Sequence, residues 1–281
     1  MTILVTGASG QLGRLTLTAL QARGVAPADI RAGARRPSAV ADLGVPVVEL
    51  DYDRPETAAA AMAGVDEVLL ISASEPGKRV PQHAAVIDAA RDAGVRRIVY
   101  TSAPRATTSS LVLAPEHKAT EELILASGIP FTFLRNNWYT ENYASTLEQA
   151  KASGVVISST GEGRVASASR PDFADAAAAV LTSDGHEGET YELGGDVAWT
   201  HAELASTIAR LIGSEVVHRS VSPEEHLAIL TGAGLDADTA GFVVALDGNI
   251  RDGVLAEVTG DMSRLTGRPT TPLIDGLRST V

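Results

Sequence analysis

The first residues of the chain constrain its fold more than any other feature. Three aliphatic residues, Ile3-Leu4-Val5, run directly into Thr6-Gly7-Ala8-Ser9-Gly10-Gln11-Leu12-Gly13. A helical pattern with Leu12, Leu15, Leu17 and Leu20 among polar residues follows. A strand that enters a glycine-rich turn and leaves it as a helix is the opening of a βαβ series. Gly7 supplies backbone angles closed to other residues. Gly10 lets the main chain approach an anion with no β-carbon in the way, and Gly13 lets the helix pack tightly on the strand. Free N–H groups and the positive dipole at the amino end of the helix then suit a diphosphate. The spacing is G-x-x-G-x-x-G rather than G-x-G-x-x-G. Its context still points to a dinucleotide cradle over Gly7, Ala8, Ser9, Gly10, Gln11, Leu12 and Gly13.

The pattern continues accordingly. Strands are expected at Ile30 to Ala34, Val45 to Leu50, Val68 to Ile71, Ile98 to Tyr100 and Phe131 to Leu134. Pro46 should keep the first residues of the third strand off the central ladder. Helices are expected at Pro55 to Met62, Gln82 to Ala93 and Pro115 to Ala126. This alternation predicts an α/β, Rossmann-type, doubly wound parallel sheet with a smaller C-terminal α/β lobe. Past Arg135 the rhythm changes. Helices are expected at Thr140 to Lys151, Pro171 to Leu181, Ala202 to Ile212 and Pro223 to Leu230, with short strands at Val155 to Ser159, Val165 to Ser167 and Tyr191 to Leu193. The expected division is a dinucleotide-binding domain over 1–135 and 155–195, and a substrate lobe over 136–154 and 196–281.

Composition narrows the function. Among 281 residues, 44% are hydrophobic and only 4% aromatic, so the core must be mainly aliphatic. The formal charge is −12, and the only lysines are Lys78, Lys118 and Lys151. A phosphate-tracking nucleic-acid surface or a polybasic membrane patch therefore has no material. The absence of cysteine removes thiol nucleophiles, disulfides and thiolate metal sites, and fits a cytoplasmic protein. No signal peptide is expected at the start, and Val68 to Ile71 is too short to span a bilayer. The histidines show no metal-ligand spacing, so no metal is assigned. A homodimer is compatible with the chain, but no segment specifies an interface.

The second strand ends Ala34-Arg35-Arg36 with no acid beside it. In this architecture that position faces the adenosine ribose, where an arginine pairs with a 2′-phosphate. Arg35, with Arg36 assisting, selects NADP(H) over NAD.

With these segments assembled, the chain resembles the atypical short-chain dehydrogenase/reductase group. Within it the resemblance is to the NmrA-like proteins, most closely the bacterial NAD(P)H:quinone oxidoreductase type 2. The carriers are the glycine turn, Leu69-Leu70-Ile71-Ser72-Ala73-Ser74-Glu75, Pro81-Gln82-His83 and Leu134-Arg135-Asn136-Asn137-Trp138-Tyr139-Thr140-Glu141-Asn142-Tyr143. Val165-Ala166-Ser167-Ala168-Ser169-Arg170 and Tyr191-Glu192-Leu193 match as well. The resemblance covers nearly the whole chain. It implies cofactor contacts at the glycine turn, at Arg35, at Leu70, Ile71 and Ser72, along Leu134, Arg135, Asn136, Asn137, Trp138 and Tyr139, and along Val165 to Arg170. It also implies hydride transfer to a quinone.

The tyrosines at 52, 100, 139, 143 and 191 have no lysine four residues later. The Tyr-x-x-x-Lys pair that protonates carbonyl oxygens in most short-chain dehydrogenases is thus absent. Quinone reduction tolerates this, because the product anion is aromatic and delocalised and the protein's task is chiefly proximity. Relatives often carry a lysine on the helix before the sixth strand; that position falls on His117, which could protonate a quinol oxygen near neutral pH. Asn137 and Tyr139 are further catalytic candidates, and with Trp138 they could line a flat pocket or pack between lobes. Two other readings stay open. One is a non-catalytic NADP(H)-binding redox sensor acting through a protein partner. The other is a sugar-nucleotide epimerase or dehydratase, which the missing Tyr-Lys pair disfavours.

Overall fold

The aliphatic runs become strands because helices cover them on both faces. A computed structural model describes residues 1–75 and 77–280. In chain order the first half contains β1 (Ile3–Val5), α1 (Gln11–Ala22), β2 (Ile30–Ala34), β3 (Val47–Glu49) and α2 (Pro55–Met62). Then come β4 (Glu67–Leu70), α3 (Arg79–Asp92), β5 (Arg97–Ser102), α4 (Ala114–Ser127) and β6 (Phe131–Asn136). The second half adds α5 (Ala144–Ser153), β7 (Val155–Ser158), β8 (Arg164–Val165), α6 (Arg170–Thr182) and β9 (Thr190–Leu193). It ends with β10 (Trp199–Thr200), α7 (His201–Ile212), β11 (Val217–Ser220), α8 (Pro223–Gly232), α9 (Ala237–Arg251), α10 (Asp261–Thr266) and α11 (Leu273–Arg278).

Seven strands form one sheet in the order β3-β2-β1-β4-β5-β6-β9, with every pairing parallel. The order reverses at β1, so a crevice opens at the carboxyl ends of β1 and β4, where ligands of such sheets bind. One face packs against α1 and α6. There Ala174, Ala176 and Ala177 keep α6 close to the sheet, around Leu17, Leu20, Val99 and Phe173. The other face packs against α2, α3 and α4 around Met62, Ile87, Tyr100 and Ile124. A third core, including Leu147, Trp199, Leu204 and Ile250, belongs to the lobe over the sheet's carboxyl edge.

Several expectations needed correction. The third strand is shorter than Val45 to Leu50: Pro46 stands before it and offers only its carbonyl, which accepts from Ala32 N at 2.9 Å. The strand expected at Val155 to Ser159 forms, but β7 pairs with β11 in a separate two-stranded sheet rather than with the large one. The strand expected at Val165 to Ser167 shrinks to β8, which pairs antiparallel with β10. Helix α5 begins at Ala144, after a 3₁₀ turn over Thr140–Tyr143. Helices α9, α10 and α11 went unread. Gly241 and Gly248 hide α9, although Asp236 caps it by accepting from Thr239 N at 2.9 Å. Among the described residues, no helix is long and apolar enough to cross a membrane.

Candidate active site

The carboxyl ends of β1, β2, β4, β5 and β6, together with the lobe, enclose a cleft of about 770 Å³. One end is made by the glycine turn. Gly7 has φ +57°, and its carbonyl accepts from Gly10 N at 2.9 Å. A β-carbon on Gly13 would stand 2.5 Å from the Gly7 oxygen and 2.7 Å from Ala8 Cα, so α1 sits directly on the turn. No side chain caps α1. Its first N–H groups are therefore left to a ligand, and the helix dipole makes that ligand an anion. Thr6 and Tyr52 brace the turn. Tyr52 OH lies 2.6 Å from Thr6 Oγ1 and donates to Ile71 O at 2.8 Å, while Thr6 Oγ1 accepts from Ile71 N at 2.9 Å.

Arg35 lines the cleft at the end of β2. Its side chain is 68% exposed, and its one ion pair among the described residues, with Glu75, is long at 3.9 Å. A guanidinium so loosely held can exchange that partner for a phosphate. The middle of the cleft is the segment after β4. Ser72 N donates to Thr101 Oγ1 and Ala73 N to His83 Nε2, each at 2.9 Å. Buried Arg79 donates to Ala73 O and pairs with Glu116 at 2.7 Å.

The far end is lined by Ala103, Pro104, Leu111, Leu113, Trp138 and Leu255 with His117, Asn136, Asn137, Tyr139, Asn142 and Arg170. This is an apolar wall interrupted by a few polar groups, which suits a flat organic molecule. Tyr139 OH accepts from Asn136 Nδ2 at 3.3 Å, and the Arg170 guanidinium lies 4.6 Å over its ring. Burial raises the Tyr139 phenol above its usual range, so it stays protonated. Asn137 has both halves of its amide engaged: Oδ1 accepts from Trp138 N, and Nδ2 donates to Leu255 O at 3.2 Å. It ties the end of β6 to the lobe. His117 contacts Tyr100, with 2.8 Å between Nδ1 and the phenol oxygen. Burial, reinforced by Arg79, lowers its pKa to about 3. The expected imidazolium donor near neutral pH is therefore corrected: His117 is a neutral imidazole there.

Of the other expected residues, Gly7, Ser9, Gly10, Gln11, Leu12, Gly13, Ile71, Ser72 and Trp138 meet at the cleft with those above. The side chains of Ala8, Leu70, Leu134, Arg135 and of Val165 to Ser169 do not line it. Ala8, Leu134 and Ala168 fill one core, Leu70 the opposite one, and Val165 that of the lobe. Arg135 is drawn away by Glu121 and Glu192, at 2.7 and 3.0 Å. Ala166 serves through its main chain, with N donating to Leu255 O. Ser167 Oγ bonds Thr140 and Trp199, and Ser169 caps α6. Sequence reasoning missed Tyr52, Arg79, Leu111, Leu113 and Leu255. A tyrosine just past the third strand was a signal for Tyr52; nothing local marked Leu255.

Three comparisons bear on this geometry. A family model described as NAD(P)H-binding matches residues 7–184. Quinone oxidoreductase 2 of Escherichia coli is 41% identical over 278 residues, covering 98% of this chain and 97% of that protein. The crystal structure of the E. coli NADPH-dependent quinone oxidoreductase complexed with NADPH superposes with a TM-score of 0.95 at 40% identity, over 99% of each chain. The Citrobacter sp. triphenylmethane reductase complexed with NADP(H) gives 0.94 at 38% identity, over the full length of both.

Proposed function

Since the chain belongs to the NAD(P)H-binding family, in its NmrA-like branch, we propose that it is an NADPH-dependent reductase of quinones. The observation that carries the reading is near-full-length similarity to an NADPH-bound quinone oxidoreductase, joined to a cleft with an anion cradle at one end and an apolar wall at the other. The redox-sensor alternative is not favoured, because the relatives reported above bear the names of enzymes.

The residues fit the cofactor. Gly7 to Gly13 and the uncapped start of α1 would hold its diphosphate, and Arg35 its 2′-phosphate. When bound, NADPH supplies the hydride. The protein's own part is to bring the acceptor up to the nicotinamide and to exclude water with Leu111, Leu113, Trp138 and Leu255. No strong acid is needed: the hydroquinone anion is delocalised and takes its proton from water. His117 offers a hydrogen bond rather than a proton, Tyr139 stays protonated, and Asn137 holds the lobe in place. In this division of labour the large sheet holds the dinucleotide and the lobe covers the acceptor. A cytoplasmic location belongs to the same proposal.

The test follows NADPH absorbance with a small benzoquinone, in the wild type and in Arg35→Asp. Turnover above the uncatalysed rate is expected. The variant should bind NADPH roughly 10- to 100-fold more weakly, the range for a charge-assisted hydrogen bond. NADH binding should change little. Absence of turnover across a panel of quinones would remove the activity, and equal losses for both cofactors would remove Arg35.

A further inference from the structure

Tyr100 stands in the centre of β5, fully buried, with its ring edge-on to His83 and Phe133 and tilted against His117. Its hydroxyl lies 2.8 Å from His117 Nδ1, its one hydrogen-bond partner among the described residues. His117 lines the cleft, and its Nε2 has no protein partner among the described residues. A phenol has one hydrogen to give. Were it Nδ1 that carried the imidazole hydrogen, it would donate to the phenol oxygen and leave the phenol hydrogen buried without an acceptor, which is costly. The nearby Thr120 hydroxyl donates to Glu116 O at 2.9 Å and meets His83 Nδ1 at 2.9 Å; it makes no hydrogen bond of ordinary geometry with the phenol, which leaves His117 Nδ1 as the acceptor in reach. His83 must carry its own hydrogen on Nδ1, because its Nε2 accepts from Ala73 N.

We propose that Tyr100 is a positioning residue: by donating to His117 Nδ1 it fixes the imidazole as the Nε2–H tautomer and aims that N–H at the carbonyl oxygen of the quinone. The inference deepens the quinone-reductase reading and rests on it. The titratable and charged groups acting on His117 from the packed elements are Tyr100 of β5 and Arg79 and His83 of α3. As the hydride adds to the ring system, an electron pair collects on the quinone oxygen, and a fixed N–H donor stabilises that developing charge. The donor keeps its hydrogen. NADPH, quinone and one proton from water give NADP⁺ and hydroquinone, so the imidazole needs no recharging between turnovers. Because burial holds His117 neutral, the donor is present throughout the neutral range.

The experiment joins a spectrum to kinetics on the full chain. Histidine ¹H–¹⁵N correlation spectra assign the His117 tautomer, its signals identified by their loss in His117→Gln. The wild type should show hydrogen on Nε2 and a hydrogen-bonded, unprotonated Nδ1; in Tyr100→Phe the Nδ1 signal should lose its hydrogen-bond shift. With a benzoquinone, Tyr100→Phe should lower kcat about fivefold, the scale of one neutral hydrogen bond, with NADPH affinity within about twofold of wild type. His117→Gln, which retains an N–H, should keep more activity than His117→Ala. An Nδ1–H tautomer in the wild type overturns the proposal, as does an unchanged kcat in Tyr100→Phe. A wild type that turns over no quinone defeats the parent reading instead, and the spectrum still decides what Tyr100 does to His117.

Discussion

In the proposed reading, the diphosphate end of the cleft works through main-chain N–H groups from one consecutive stretch, Gly7 to Gly13. The acceptor end works through side chains from β5, β6, α4, the segment between β5 and α4, and a lobe residue as distant as Leu255. The first site is local. Its shape follows from glycine backbone freedom and from the direction of a helix. The second is assembled by long-range ties, among them Asn137 to Leu255 and the Arg105 guanidinium to Glu257 at 2.7 and 2.5 Å. A local site should fail abruptly when its backbone is obstructed. An assembled one should loosen by degrees.

The largest effect expected from this contrast is at Gly13. A valine there places its β-carbon against main-chain atoms of Gly7 and Ala8, at 2.5 and 2.7 Å, and main chain cannot swing aside as a side chain can. Overpacking of this kind costs roughly 1–3 kcal/mol or more. Moving α1 off the turn also spoils the alignment of its N–H groups. NADPH affinity should fall by at least about 100-fold, equivalent to ~2.7 kcal/mol, in calorimetry on protein that is still folded by circular dichroism. Retention of near-normal affinity would mean that the turn is not the anchor.

The same contrast explains what could be read beforehand. The strand alternation, and the placing of the glycine turn and Arg35 at the cleft, were legible because each signal lies within a few residues of its cause. The side chains of Leu70 and Leu134 fill cores instead of lining the cleft, which the sequence could not state because a strand covered on both faces gives no periodicity to say which side chains face a ligand. The Arg135 side chain, expected at the cofactor beside Asn136, is instead paired with Glu121 and Glu192, from α4 and β9, which no local pattern announces. The lobe was read least well. Strand β7 pairs with β11 about sixty residues later, and no local pattern states such a pairing.

A smaller effect should come from the lobe. Asn249, on α9, accepts from Val112 N at 2.9 Å and donates to Ser110 O at 3.0 Å, gripping the segment that carries Leu111. Both bonds are satisfied in only one orientation of the amide. Asn249→Ala should let that wall shift, raising the KM for quinone about three- to tenfold, as loss of one or two neutral hydrogen bonds allows. NADPH affinity should stay put. Equal losses for quinone and NADPH would mean that the two ends of the cleft are not separable.

The smallest effect is expected from pH, and its absence is informative. His83 and His117 flank Tyr100, and burial followed by the charge of Arg79 lowers each to about 3. In the folded protein both are neutral from about pH 5 upward, so kcat should run flat from about pH 5.5 to 8.5. Stability behaves otherwise. In the unfolded chain these imidazoles take up protons below about pH 6.5, whereas the folded protein refuses them until about pH 3. Between those limits the unfolded state binds more protons, so acidification favours it, by ~1.4 kcal/mol per pH unit for each such histidine. Melting temperature should therefore fall below pH 6.5 while kcat holds level until the protein unfolds. An inflection in kcat near pH 6 to 7 that disappears in His117→Gln would show the imidazole cycling its proton during turnover, and would turn the acceptor end from a fixed donor into an acid.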